Sequence, residues 1–195
     1  MPRKRRSWYP GAIYHLTCRG IRKWLLFFDE EDYLKYLWLM EKAREKYPYV
    51  LHAYCIMTNH VHLQLETIND PPWRIMQYVN SMYAAYFNKK YEFDGHVFDK
   101  RYGSELVDSV DYEVELSKYI HRNPLKAGMV NSLEEYPWSS YHTYGGLQAS
   151  PYLHVQTERI LGYFPEPRSA NYLDYVHSSI IDLPENPLNS TLLLL

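Results

Sequence analysis

The 195-residue chain has no apolar run of about 18 residues, the length needed to cross a bilayer, and its closing Leu192–Leu195 tetrad is far too short for that. It has only two cysteines, Cys18 and Cys55, which form neither a CxxC pair nor a zinc-finger framework. With no disulfide scaffold to build, a reducing cytoplasm is the expected setting. No apolar stretch follows the basic residues Arg3, Lys4, Arg5 and Arg6, which excludes an ordinary secretory signal. No internal repeat is visible. The net charge is small, −2, and excludes a uniformly basic nucleic-acid coat. What the chain has is apolar and aromatic mass: 46% hydrophobic and 16% aromatic residues are ample for a packed core. The 21 tyrosines are a surplus of side chains with an apolar body and a polar tip.

The small net charge conceals an asymmetry. Residues 1–23 carry seven basic side chains (Arg3, Lys4, Arg5, Arg6, Arg19, Arg22 and Lys23) and no acid, which leaves the rest of the chain at a net −9. Such a basic segment is either a solvated face or a contact for phosphates, and the charge alone does not choose.

Periodicity predicts the elements. Residues 12–18 alternate, with Ile13, His15 and Thr17 on one face, and form a first strand. The acids Asp29–Asp32 favour a helix start, followed by Tyr33, Leu34, Leu37, Trp38 and Met40 at helical spacing and a stop near Tyr47–Pro48. Residues 49–57 and 60–67 read as two strands of a hairpin joined at Thr58–Asn59. A second helix opens at Pro71–Pro72, with Trp73, Met76, Val79, Tyr83 and Phe87 as its apolar stripe. Residues 104–107 make a short fourth strand, and Asp108 or Ser109 caps a third helix that Asn123-Pro124 stops near Arg122. The order β-α-β-β-α-β followed by a helix is ferredoxin-like: an α+β fold with an antiparallel sheet and helices on one face. Two short helices over 155–163 and 170–181 and a loose tail from Asp182 complete the chain. The division is a domain over 1–146 and a helical appendage over 147–195.

The sharpest local feature is Asn59-His60-Val61-His62-Leu63-Gln64-Leu65-Glu66. On a strand, His60, His62, Gln64 and Glu66 share one face, and Val61, Leu63 and Leu65 the other. Two imidazoles two residues apart on an open face can reach one divalent ion and leave coordination positions free. With nine histidines in the chain, one His-x-His pair is also a common accident. The second feature is a helical stripe of Tyr112, Leu116, Tyr119 and Asn123. Such a stripe is usually core; the alternative is that the Asn123 amide joins a metal that the Tyr119 phenol also faces.

Five segments run in order through most of residues 10–146: GAIYHLTCRG from Gly11, MTNHVH from Met57, FDKRY from Phe98, YIHRNPLKAG from Tyr119 and WSSY from Trp138. Together they resemble the HUH-type single-tyrosine transposases, and among these the REP-associated tyrosine transposases of bacteria. The resemblance implies a metal-dependent endonuclease and strand transferase acting on single-stranded DNA with hairpin-bearing ends. It implies that His60 and His62 hold magnesium or manganese, with Asn123 at a position that supplies a third ligand in relatives. Tyr119 matches the family nucleophile, which forms a 5′-phosphotyrosine link. Arg3, Lys4, Arg5, Arg6, Arg19, Arg22 and Lys23 become candidate phosphate contacts, as do Lys100 and Arg101. His15 reads as a structural histidine near the site, and His121 points away from the tyrosine on its helix. Relatives often continue into a longer helical region than this C-terminal segment, which implies a partial recognition module. A second copy of the chain is a candidate partner, and the sequence leaves open whether Tyr119 acts in its own subunit.

Two competing functions differ in class. A non-catalytic nucleic-acid-binding module would need aromatics on the exposed sheet face, where the third strand has His, His, Gln and Glu. A small zinc hydrolase would need a further acid or histidine to complete a tight shell, and none has the right spacing.

Overall fold

Alternation along two strands builds the centre of the molecule. In β1 (Ile13–Arg19), Tyr14, Leu16 and Cys18 are buried on one face; in β3 (His60–Thr67), Val61, Leu63 and Leu65 join them. The structure is a computed structural model describing residues 8–147 and 153–178. Between and after these strands come α1 (Glu30–Lys46), β2 (Tyr49–Ile56), α2 (Pro72–Lys90), β4 (Gly103–Val107) and α3 (Val110–Lys126), then α4 (Tyr141–Tyr144), α5 (Glu158–Leu161) and α6 (Arg168–His177). The four strands form one antiparallel sheet in the order β2-β3-β1-β4, the ferredoxin-like arrangement expected from the element order.

Two apolar layers flank the sheet. The larger lies under α1 and α2 and contains Tyr36, Leu37, Met40, Met76, Val79 and Tyr83. The smaller lies on the opposite face, where Ile13, Ala53 and Cys55 meet Leu116 and Ile120 of α3. The pairing of strand β2 with β3 shifts by one residue between Leu51 and Ala53. An extra residue in one strand reverses the facing of everything beyond it. Tyr49 and Leu51 before the bulge, and Tyr54 and Ile56 after it, therefore all pack toward α1 and α2.

Several expectations are corrected. The second sheet face is not open, because α3 roofs it. Trp38 is 42% exposed rather than core, with the Lys35 ammonium 4.0 Å from its ring centre, and the buried stripe of α1 runs instead through Tyr33, Tyr36, Leu37 and Met40. Trp73, at the first turn of α2, is also exposed and meets Trp8 edge to face. Helix α3 does not stop before Pro124 but runs to Lys126. Proline removes one helical N–H, yet the ladder resumes where Ala127 N–H donates to the Asn123 carbonyl at 2.9 Å. The first short C-terminal helix is confined to Glu158–Leu161, and the second begins at Arg168. Arg3, Lys4, Arg5, Arg6 and the tail from Asp182 lie outside the described residues.

The start of α1 is fixed by a reciprocal cap. Asp29 accepts from Asp32 N–H, while Asp32 accepts from the backbone N–H groups of Phe28 and Asp29. Asp32 is fully buried, and Lys90 of α2 (2.9 Å), Tyr86 (2.9 Å) and Tyr91 (2.6 Å) also donate to it. Burial alone would raise its pKa, but the donors from Tyr91, Lys90, Phe28 and Tyr86 outweigh burial and hold it below the ordinary value. This carboxylate joins the two helices under the sheet. Asp32→Ala is expected to lower the unfolding free energy by about 3 kcal/mol, because five donors lose a buried charge together. Because the folded-state pKa is depressed, the stabilisation is complete above the unfolded-state carboxylate value and is lost as pH falls through the folded one. Urea unfolding of both proteins at neutral pH measures the loss; a change under about 0.5 kcal/mol, within the range of an ordinary surface substitution, would contradict it.

Candidate active site

Strand pairing assembles the site. Across β1 and β3, Arg19 stands opposite His60, Thr17 opposite His62 and His15 opposite Gln64, all on the face under α3. Ser109 caps α3 by accepting from Tyr112 N–H at 3.2 Å. Ten residues on, Tyr119 lies over the histidines. Its ring is edge-on to His62, with centroids 5.4 Å apart, and 6.1 Å from His15. The rings of His60 and His62 are 5.0 Å apart and perpendicular. Asn123, one turn beyond Tyr119, donates Nδ2 to the Tyr119 carbonyl at 2.8 Å. That bond leaves its Oδ1 as the end able to bind a cation. The structure thus brings His60, His62, Tyr119, Asn123 and Arg19 to one place within one chain.

The imidazoles are oriented by neighbours. His60 Nδ1 lies 2.6 Å from Asn59 Oδ1, an acceptor, so Nδ1 carries the proton and Nε2 keeps its lone pair. His62 Nδ1 lies 2.9 Å from His15 Nε2, and the two rings stack. His62 Nε2 is buried with no protein partner, and so is Gln64 Oε1 two residues along. Such orphaned polar atoms are costly unless something answers them. Gln64 Nε2 is engaged by the Glu113 carbonyl at 3.0 Å. A divalent cation suits this donor set: neutral imidazole nitrogens, amide oxygens and no thiolate. Among the described residues, no cluster of three or more His, Cys, Asp or Glu side chains could hold a metal ion unaided. Amide oxygens, water or substrate must therefore complete any shell.

Burial sets the protonation states. It lowers the pKa of His15 to about 4 and that of His60 to about 4, with the Arg19 charge adding to the effect on His60. Burial pushes His62 well below its ordinary value, reinforced by His60, His15 and Arg19. All three are neutral near pH 7, the form that binds cations. Burial raises the Tyr119 phenol, while the Asn123 amide and the Arg19 guanidinium pull it back only in part. The phenol is therefore protonated at neutral pH.

The basic residues divide. Arg19 is in the site. Arg22 and Lys23 sit on the 3-10 turn after β1, and Lys100 and Arg101 on the loop before β4. That loop is drawn against the end of β1, where Gly20 pairs with Phe98 and Asp99 N–H donates to the Arg19 carbonyl at 3.0 Å. These five cations thus gather at the His60 end of the sheet. His121 is elsewhere: its ring nitrogens meet Ser140 Oγ at 2.7 Å and Tyr172 Oη at 2.8 Å, behind α3. The residue that sequence reasoning undervalued is His15. Its strand parity, shared with Ile13 and Thr17, was the signal, but only the pairing of β1 with β3 shows that it supports His62. Glu66 leaves the group, because it faces His52 at 3.0 Å and Arg159.

This fold places a histidine pair under a tyrosine-bearing helix, and comparison with known proteins gives its family. The family model described as "Transposase IS200 like" matches residues 9–123, more than half of the chain. The protein belongs to the IS200-like transposase family. A curated relative from Haemophilus influenzae, assigned as a REP-associated tyrosine transposase, is 28% identical over 158 residues, covering 73% of this chain and 86% of its own. A solved REP-associated tyrosine transposase, determined bound to a REP hairpin, superposes with a TM-score of 0.63 at 17% identity, over 80% of this chain and 93% of its own. At that identity the likeness concerns the fold, and it agrees with the ferredoxin-like reading. The resemblance to the REP-associated group read from the sequence is borne out.

Histidines buried in the neutral form make stability depend on pH. With folded values near 4 and an ordinary value of 6.5, His15 and His60 bind fewer protons folded than unfolded in the window between. The contribution of these two groups to stability is therefore flat above about pH 6.5 and falls as pH is lowered toward 4. Replacing the titrating ring by an amide, His15→Gln, should make that slope shallower. Urea midpoints measured between pH 4 and 8 test this; an unchanged slope in the variant would contradict the assignment.

Proposed function

We propose that the chain cuts and rejoins single-stranded DNA at hairpin-bearing ends, with Tyr119 as nucleophile and a magnesium or manganese ion held by His60 and His62. The observation that carries the proposal is Tyr119 edge-on to His62 in the same chain, beside a buried imidazole nitrogen with no protein partner. The Asn123 amide oxygen is the third protein ligand in this reading. When bound, such an ion polarises a phosphate and offsets the charge that builds on its oxygens.

The chain's own residues do the rest. Tyr119 Oη forms a bond to phosphorus as the bond from phosphorus to the 3′ oxygen breaks; the phenol gives up its proton and the leaving 3′ oxygen gains one. The product is a 5′-phosphotyrosine and a free 3′-hydroxyl. One phosphodiester replaces another, so a second 3′-hydroxyl reverses the step and joins strands without ATP. Arg19, whose charge favours the Tyr119 phenolate, eases loss of the proton. The placement of Tyr119 beside its own chain's histidines supports attack in cis, so a homodimer is not required for the chemistry. Arg22, Lys23, Lys100 and Arg101 neutralise phosphates of the bound strand, and Arg3, Lys4, Arg5 and Arg6 are further phosphate contacts in this reading. Residues 1–146 form the catalytic unit. Residues 147–195 are an appendage, whose described part braces α3 from behind. Among the described residues no helix is long and apolar enough to cross a membrane.

Tyr119→Phe removes one hydroxyl and should leave the fold, manganese binding and hairpin binding intact. It should reduce strand cutting at least about a thousand-fold and abolish the denaturation-resistant adduct. His60→Ala should lose cutting together with manganese binding, read by the paramagnetic signal of free manganese. A wild-type protein that binds hairpin strands but never cuts them with either metal would instead make the chain a binding module.

A further inference from the structure

A pocket of about 520 Å³ lies beside the turn that follows β1, bounded by Lys23, Trp24 and Phe28 on one side and by Phe87, Tyr91 and Phe93 on the other. Its size falls in the range of small-ligand sites, about 300–1,000 Å³. The walls are aromatic and already assembled: ring centroids are 4.9 Å apart for Phe28 and Tyr91, 5.8 Å for Phe87 and Phe93, and 6.2 Å for Trp24 and Phe93. Trp24 and Phe28 are 52% and 57% exposed, so two of the largest apolar side chains stand in water at its mouth. Contiguous exposed apolar surface of this kind marks a binding face.

The turn is shaped at a cost. Arg22 and Lys23 are consecutive non-glycine residues at φ 52° and 63°. Such backbone persists where the surroundings enforce it, and it concentrates at functional sites. Gly20, just before, has no room for a side chain, because an added Cβ would stand 2.2 Å from the Trp24 carbonyl oxygen. Asn59 completes the restraint: its Nδ2 donates to the Lys23 carbonyl at 2.9 Å, while its Oδ1 orients His60. One asparagine thus ties the pocket wall to the candidate metal ligand. The rim is cationic toward the site, where the Arg22 guanidinium lies 5.9 Å from the Trp24 ring centre. Of the nearby acids, Asp29 is paired with Lys90 at 2.8 Å, and Glu92 and Asp94 lie on the turn after α2.

We propose that this pocket takes an unpaired nucleobase of the single strand flanking the cleaved phosphate, an inference that rests on the strand-transfer function proposed above. Aromatic walls stack any base, and adjoining cations meet the phosphates on either side of it, the pairing found in single-strand grooves. An apolar protein segment would satisfy the rings but make no use of the Arg22 charge at the rim. The Asn59 tether holds the captured base at a fixed offset from His60, so the pocket sets which phosphate reaches Tyr119.

The test is anisotropy of a labelled hairpin oligonucleotide with a single-stranded flank, using Tyr119→Phe protein to prevent cutting. Adding Trp24→Ala or Phe28→Ala should weaken binding about ten-fold or more, and Trp24→Phe should restore it, as expected for stacking. One abasic position in the flank should weaken the parent similarly, and Trp24→Ala should cost nothing further on that strand. Equal affinities for parent and alanine variants, or full additive losses on every abasic strand, would overturn the base pocket while leaving the strand-transfer function standing. Self-association of the parent in sedimentation that Trp24→Ala abolishes, with DNA binding unchanged, would also overturn it in favour of a contact between copies. No binding of any hairpin by the parent would instead sink the strand-transfer function, and the pocket with it.

Discussion

The register between the two central strands is the constraint on which the site depends. Val61, Leu63 and Leu65 are buried against α1 and α2 alongside Tyr14, Leu16 and Cys18. A slip of one residue would put those apolar side chains under α3 and drive His60 and His62 into the main core, so burial of one face positions the chemistry on the other. The same register places Arg19 beside His60 and brings His15 within hydrogen-bonding distance of His62. Hydrophobic packing and the polar site are two consequences of one pairing.

The second requirement is a fixed α3, and the tyrosine surplus supplies much of it. Behind the helix, Tyr172 Oη meets Ser117 Oγ at 3.1 Å and His121 Nδ1 at 2.8 Å, and Tyr144 stacks on Tyr172. Arg122 donates to the Val176 carbonyl at 2.7 Å. Arg159 of α5 pairs with the buried Glu113 at 2.5 Å, and the backbone of Glu113 is held by Gln64 from the sheet. The helix that carries Tyr119 is therefore gripped from both sides. Buried phenols can do this because each fills apolar space while its hydroxyl satisfies a polar partner.

Much of this was legible in the sequence. The strict alternation of residues 60–66 predicted the bounds of β3 and the shared face of its histidines, and Tyr119 and Asn123 were legible from helical spacing. What was not legible depends on contacts distant in sequence. Trp38 and Trp73 fit an apolar stripe by spacing, but the rotation of each helix is decided by what it packs against. The bulge at His52 is invisible to a period-two reading, because it exists only in the pairing of β2 with β3. Asn123-Pro124 reads as a stop, yet near a helix end the missing N–H costs one bond and the ladder continues. The role of His15 needed the knowledge that β1 lies beside β3 rather than beside β2.

The central claim is that Tyr119 is the nucleophile that takes up the 5′ phosphate. Digesting the covalent protein–DNA adduct with trypsin after nuclease treatment, and sequencing the modified peptide by mass spectrometry, tests it most directly. Cleavage after Lys118 and Arg122 isolates Tyr119-Ile120-His121-Arg122, a peptide with one tyrosine. The account predicts the nucleotide mass on that peptide, attached through the phenol. A nucleotide found on the peptide carrying Tyr112, or on any other, would contradict it.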